Sequence, residues 1–543
     1  MNMRIKHEMS NVNGNSMQES RRERIRGVNR AYPRAGSLAA FSRWFCVSAT
    51  IAVIAGCAVG PNYKKPELTV PTAYKENPEW KQAAPSDALR RGAWWEIFGD
   101  TILNDLEKQI DVSNQSLKQA EAQYRQSAAL VSSARASFWP TVSASLSATR
   151  SGRYGNSGGG IVSGGTVIGG TGDTGNPGSS HPANSYQLPL SATWEPDLWG
   201  SVRRQVEESA STAQASAATL ESTRLSLQAQ LATTYFELRI VDEQKRLLDD
   251  TVAAYAKALK LTQNQYNVGV VARADVITAE TQLKSAQVQL IDLGLARTQY
   301  EHAIAMLIGK MPADFALPAQ KLTILPPTIP VDVPATLLAR RPDVAVAERQ
   351  AAAANAQIGV AEAAWFPTLT LSAGGGYQNS AWSKLLDAPS RYWSIGPRLA
   401  EVLFDGGARR AQTAQARAAY DAAAANYRQI SLAAFQNVED QLAALRILQQ
   451  EAEAQDDAVK SAERALAITI NQYRAGTVSY LNVITAQTTA YSNERNAISI
   501  LGNRLDDSVA LIKALGGGWE EKDLPAQGDI DLHAAAAKNT QND

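Results

Sequence analysis

Hydrophobic and polar residues follow two rhythms along the 543-residue chain, and each rhythm occurs twice. The first is alternation. Val142, Ala144, Leu146 and Ala148 interleave with Thr141, Ser143, Ser145 and Ser147; Tyr186, Leu188, Leu190, Ala192 and Trp194 interleave with Gln187, Ser191, Thr193 and Glu195. A period of two puts the apolar set on one face of a strand and the polar set on the other, which predicts strands over Thr141–Thr149 and Tyr186–Glu195. The pattern returns with Leu369, Leu371 and Ala373, then with Trp393, Ile395 and Leu399. The second rhythm is helical. Leu227, Leu231, Tyr235, Leu238, Val241, Leu248, Val252, Tyr255 and Leu259 recur at steps of three, four and seven, as in a coiled coil. No Pro or Gly interrupts Val202–Val268, roughly 67 residues or about 100 Å of helix at a rise of 1.5 Å per residue. Ala408–Ala475 repeats the feature. Average globular helices run about a dozen residues, so these belong to an extended structure.

The recurrence is a duplication with a period near 210 residues. Ala134-Arg-Ala-Ser-Phe-Trp-Pro140 matches Ala361-Glu-Ala-Ala-Trp-Phe-Pro367, and Gly200-Ser-Val-Arg203-Arg204 is matched with Gly406-Gly-Ala-Arg409-Arg410. Gln265-Tyr266-Asn-Val-Gly269 answers Gln472-Tyr473-Arg-Ala-Gly476, Val276-Ile-Thr-Ala279 recurs as Val483-Ile-Thr-Ala486, and Gly309 falls at Gly516. Each half reads helix, strand, long loop, strand, very long helix, tight turn, long helix.

Strands of nine or ten residues with one apolar and one polar face suit an outer-membrane barrel, with lipid outside and water inside. A soluble sandwich with one wet face would show the same alternation. The aromatics at the strand ends (Phe138, Trp139, Trp194, Trp199, Trp365, Phe366, Tyr392, Trp393) match interfacial girdles. Four strands cannot close a barrel, since closed membrane barrels begin at about eight. Unpaired edges in lipid then require oligomerisation.

The amino-terminal region sharpens the choice. Arg21, Arg22, Arg24, Arg26, Arg30, Arg34 and Arg43 precede an uncharged run from Trp44 to Gly56, too short to span a bilayer and typical of a signal-peptide core. It ends in Ile54-Ala55-Gly56-Cys57, which resembles the lipobox of bacterial lipoproteins. An acylated Cys57 would then be the mature N-terminus. Ala58 follows, and no Asp, which points to the outer membrane by analogy with bacterial sorting. The leader is long, and Met3, Met9 and Met17 are alternative starts.

Charge adds little: 53 basic and 53 acidic residues balance, and removing the nine basic and three acidic residues of 1–56 leaves 44 against 50. No global field points to nucleic acid. Cys46 and Cys57 are the two cysteines, which excludes a disulfide framework downstream. His7, His181, His302 and His533 lack metal-like spacing. The Gly-rich stretch 152–178 lies between two strands, so it reads as a long extracellular loop and not as a phosphate cradle. No nucleophile elbow, metal cluster or paired-carboxylate motif is present, so neither an enzyme nor a cofactor is expected beyond the covalent lipid. A lipid-anchored periplasmic scaffold remains the competing non-enzymatic reading.

The mature chain, from Cys57-Ala-Val-Gly60-Pro61-Asn62-Tyr63 to Leu515-Gly516, resembles the TolC-like outer-membrane factors, specifically their lipid-anchored NodT-type or OprM-like branch. The resemblance is carried by that opening segment, Trp94-Trp95 with Phe98-Gly99-Asp100, Trp194-Glu-Pro-Asp197-Leu-Trp199-Gly200, Arg340-Arg341-Pro342-Asp343 and the two Tyr-x-x-Gly turns. It implies an α+β membrane protein. A homotrimer would form a 12-stranded outer-membrane β-barrel, four strands per protomer, continued by a long periplasmic α-helical barrel. The implied role is the exit channel of a tripartite efflux or secretion system, fed by a periplasmic adaptor and an inner-membrane pump of resistance-nodulation-division type. The domains are expected as a lipoprotein signal peptide (1–56), an anchored segment (57–100), a first repeat (101–310), a linker (311–340), a second repeat (341–516) and a flexible tail (517–543).

By the same resemblance, the turns Val268, Gly269, Val270, Val271 and Ala475, Gly476, Thr477, Val478 are the periplasmic tips that dock the adaptor. Arg273, Asp275 and Tyr473 are the gate, with Tyr473 matching a tyrosine that hydrogen-bonds between protomers. Asn482 and Thr485 stand where relatives often carry aspartates, so a second carboxylate ring is missing.

Overall fold

The computed structural model describes residues 58–71, 73–76, 93–152, 182–329 and 334–530. The expected leader, Cys57, most of the Gly-rich loop and residues 531–543 lie outside the described residues. The first repeat contributes α1 (Thr101–Ser113), α2 (Gln115–Ala136), β1 (Thr141–Ala144), β2 (Ser147–Ser151), β3 (Ala183–Trp194), α3 (Ser201–Asn267) and α4 (Arg273–Leu307). The second contributes α5 (Pro334–Arg340), α6 (Pro342–Ala363), β4 (Thr368–Asn379), β5 (Arg391–Ala400), α7 (Ala408–Arg474) and α8 (Tyr480–Ala514). Both long helices have 67 residues and both return helices have 35. Among the described residues no helix is long and apolar enough to cross a membrane.

One correction concerns the repeat offset. Gly200 and Gly407 are the left-handed N-caps of α3 and α7, so the helices are related by 207 positions. Arg203 therefore aligns with Arg410, not with Arg409.

The strands form one antiparallel sheet in which β1 and β2 both pair with β3, followed by β4 and β5. Its register sorts residues by polarity. Tyr186, Leu188, Leu190, Ala192 and Trp194 share a face with Leu369, Leu371, Ala373 and Tyr377, and with Trp393, Ile395, Pro397 and Leu399. Val142 and Ala148 join that face opposite Ala192 and Tyr186. The other face carries Gln187, Ser191, Thr193, Gln378, Ser372, Thr370, Ser394 and Arg398. The expected single strand over Thr141–Thr149 is broken at Ser145–Leu146. Ser145 lies opposite Pro189, to whose carbonyl it donates at 3.1 Å, and a proline has no N–H to return to the ladder. The register continues unchanged across the gap. β1, β2 and β5 are exposed along their whole length, which leaves two open edges per chain.

The main core lies where the repeats meet. Trp94, Trp95 and Phe98 pack with Leu103 and Ile110 of α1, Leu231, Tyr235 and Phe236 of α3, Ile304 of α4, and Leu505 and Ile512 of α8. Asp100 caps α1 by accepting from Ile102 N–H and Leu103 N–H, and its other oxygen accepts from the Tyr235 hydroxyl at 2.8 Å. This explains the Phe98-Gly99-Asp100 motif as a staple between the helix start and the long helix. The predicted stripe of α3 is buried at Leu231, Tyr235, Leu238, Val241, Leu248 and Tyr255.

Residues 517–530, expected as part of a flexible tail, are held in place. Arg135 donates to the carbonyls of Gln527 and Ile530, Gln214 donates to that of Pro525, and Ile530 is buried beside Ala128, Val131, Ala210 and Ala213. Side chains of both α2 and α3 hold this segment, a contact that no local pattern announces. The expected 311–340 linker contains a short helix, α5.

Candidate functional site

The two tips are built alike. At the end of α3, Gly269 N–H donates to the Tyr266 carbonyl and Val270 N–H to that of Gln265; at the end of α7, Gly476 N–H donates to Tyr473 and Thr477 N–H to Gln472. This paired bonding closes a Schellman motif, which needs a left-handed residue just past the cap. Gly269 (φ 79°) and Gly476 (φ 74°) supply it, and nothing lies within 4 Å of a Cβ built on either. The turns are therefore constrained by backbone conformation and open to solvent. Val268 is 74% exposed and Val270 70%; Ala475 and Thr477 are exposed, while Val271 and Val478 are half-buried.

Behind the turns the hairpins are locked together. Tyr473 is buried with Tyr480, Val483 and Ala279, and its ring lies 5.5 Å from that of Tyr480. Burial, with Tyr473 and Tyr255 nearby, pushes the Tyr480 phenol up to about 12. The Tyr473 hydroxyl donates to Gln265 Oε1, so the bond expected between protomers is made here within one chain, from the second hairpin to the first. Gln265 escaped the sequence reading. The repeated Gln-Tyr pair (Gln265-Tyr266, Gln472-Tyr473) was visible, but which Gln meets which Tyr depends on how the hairpins pack.

The three gate candidates are not brought together. Asp275 is half-buried and turns back on its own helix, accepting from Ala272 N–H at 3.3 Å. A carboxylate at this third position satisfies an orphan donor and complements the helix dipole. Arg273 is exposed, and among the described residues it forms no ion pair with Asp275. In the second repeat the equivalent place holds Asn482, whose Oδ1 accepts from Ser479 at 3.4 Å.

At the other end, each long helix starts from a carboxylate staple. Asp197 accepts from Val202 N–H, Arg203 N–H and Arg203 Nε. Asp405 accepts from Gly407 N–H, Arg409 N–H and Arg409 Nε, which draws its carboxyl down to about 2. Arg204, only 4% exposed, binds the carbonyls of Val59 and Gly60 and Asn62 Oδ1. Asn355 donates to the Pro61 carbonyl and Tyr63 to Glu348. The Gly60-Pro61-Asn62-Tyr63 motif is thus a clamp on α3 and α6. It brings Ala58 so close to Gly200 that a Cβ there would come within 2.7 Å of the Ala58 Cα. Aromatics fix the same level: Trp199 stacks on Phe366 at 4.8 Å and donates to the Pro367 carbonyl.

The chain matches the family model described as "Outer membrane efflux protein" over residues 106–310 and 333–517. The antibiotic efflux pump outer membrane protein ArpC of Pseudomonas putida is 29% identical over 88% of this chain and 96% of its own length. The pyoverdine export outer membrane protein OpmQ of Pseudomonas aeruginosa is 29% identical over 81% and 91%. The solved outer-membrane channel OprN superposes with a TM-score of 0.75 at 28% identity, over 85% of this chain and all of that one.

Proposed function

From the premise that the chain belongs to the outer membrane efflux protein family, we propose how its parts divide the work of a channel. It is the outer-membrane component of a tripartite efflux or secretion system, a passive duct and not an enzyme. The observation that carries the mechanism is the sheet register, apolar on one face, polar on the other and open at both edges. Three such sheets joined edge to edge satisfy every strand and put the polar face around water. Below them, the 67-residue helices continue the lumen for about 100 Å across the periplasm.

In our reading, the exposed turns at Gly269 and Gly476 receive the tip of a periplasmic adaptor, and the inner-membrane pump is of resistance-nodulation-division type. Arg273, Asp275 and Tyr473, separate within one chain, form the resting constriction only where three chains converge, with Asp275 also capping its helix. Cys57 carries the lipid. The clamp on Val59, Gly60 and Asn62 supports this, because it holds the chain one residue beyond Cys57 against the strand–helix border. Antibiotics and pyoverdine, named for two relatives, differ widely. We infer that this duct also passes small molecules chosen upstream.

The test is planar-bilayer recording on the purified trimer together with complementation of a strain lacking its own channel. Discrete conductance steps and restored drug resistance are expected. A protein that inserts but neither conducts nor complements contradicts the reading.

A further inference from the structure

Between α6 and α7, beside Val59, lies a groove of about 790 Å³ lined by Glu362, Trp365, Phe366, Arg410, Arg417 and Asp421. We propose that this groove seats the phosphate head group of a phospholipid from the periplasmic leaflet of the outer membrane. Trp365 and Phe366 stand just before β4, which begins at Thr368, so the groove opens where the apolar face of the sheet ends. Head groups sit at that depth, where aromatic rings gather.

The floor is preformed. The Trp365 indole N–H donates to Thr413 Oγ1 at 3.2 Å, its ring carries the Arg409 guanidinium 5.1 Å above it, and Phe366 is stacked on Trp199. Rings held this way offer an apolar surface for a glycerol backbone without ordering cost.

The cation is surplus to the fold. Arg410 occupies the helix position that Arg203 fills in the first repeat, where the guanidinium is paired with Asp197. In the second repeat the carboxylate that staples the helix start, Asp405, lies one position off that frame and is taken by Arg409. Arg410 is exposed and, among the described residues, forms no ion pair. A positive charge in the first turn also opposes the helix dipole, so its placement does not serve helix stability. A phosphate suits it, since a guanidinium binds phosphate oxygens through two parallel hydrogen bonds. The lower rim is softer: Arg417 pairs with Glu362 at 2.8 Å yet stays 64% exposed.

The proposal needs the outer-membrane setting but not acylation of Cys57, and native mass spectrometry of the detergent-purified full-length trimer separates the two. The probes are dimyristoyl phosphatidylglycerol, dimyristoylglycerol without a phosphate, and inorganic phosphate as competitor. Wild type should retain one phosphatidylglycerol per chain, and Arg410→Glu should weaken retention about tenfold or more, as expected for a lost charged hydrogen bond. Arg410→Lys should recover part of it, while Arg464→Glu, far along α7, and Cys57→Ser should match wild type. The trimer peak in each spectrum reports that the variants assemble. The proposal is overturned if Arg410→Glu retains lipid as wild type does, or if dimyristoylglycerol binds equally well. Displacement by inorganic phosphate at matched concentration also overturns it, as does a Cys57→Ser trimer that takes up additional lipid, because the groove then holds the chain's own anchor.

Discussion

Replacing both tip glycines tests the docking role, because the structure separates backbone strain from steric obstruction at these positions. Gly269 and Gly476 sit at φ 79° and 74°, and a Cβ on either meets nothing within 4 Å. A side chain there is penalised only for its left-handed conformation, about 1–2 kcal/mol per residue, so about 2–4 kcal/mol per chain for a double replacement. Valine bears the upper end, being β-branched, whereas asparagine tolerates this conformation. The sheet is about 100 Å away by the helix rise, and Tyr473, Tyr480, Val483 and Ala279 still join the hairpins behind the turns. Assembly and outer-membrane level should therefore be unchanged in both doubles. If the turns press against an adaptor, Gly269→Val with Gly476→Val should abolish efflux in a drug-susceptibility assay. The matched asparagine double should reduce it, because its side chains still fill the contact. Normal efflux by the valine double refutes docking at these turns. Normal efflux by the asparagine double alone limits the requirement to backbone shape.

Three further outcomes follow from named groups. Cys57→Ser should lose metabolically incorporated fatty acid while trimer still reaches the membrane through its barrel; label retained on the mutant sinks the lipobox reading. Asp275→Ala removes a first-turn carboxylate that bonds the N-cap N–H, at about 0.3–1 kcal/mol, and should raise resting single-channel conductance if Asp275 narrows the pore; unchanged conductance leaves it as a helix-end carboxylate alone. Asp506 on α8 is raised to about 8 by burial and by Glu237 of α3, which also accepts from Tyr300 of α4 at 3.5 Å. The folded chain thus keeps a proton that an unfolded Asp releases near 4, so this group lowers stability progressively as pH rises from about 4 to about 8, with no further loss above. Asp506→Asn should flatten that part of the pH profile of thermal unfolding and raise the melting temperature at pH 8; an unchanged profile contradicts it.

The long elements were legible because their signals are local. The absence of Pro and Gly placed the ends of α3 and α7 within one residue, and strict alternation assigned the strand faces that the register later paired. What escaped the sequence depends on partners far along the chain. Ser145 breaks a strand because Pro189 lies opposite, and Tyr473 reaches Gln265 because two hairpins pack. The clamp of Arg204 on Val59 and Gly60 joins residues about 145 positions apart, and nothing near either marks it. Near the helix starts the matching Arg-Arg pairs suggest an offset one short of the one set by the N-cap glycines, Gly200 and Gly407.

The account stands on three sheets closing one barrel, each four strands wide with β1 and β2 as one interrupted strand, and the mass of the particle in mild detergent tests that most directly. Light scattering with the detergent contribution subtracted should give three chains per particle, stable on dilution, because each sheet leaves the outer edges of β1, β2 and β5 unpaired until a neighbour covers them. A monodisperse monomer under the same conditions contradicts the edge-strand argument, and with it the barrel.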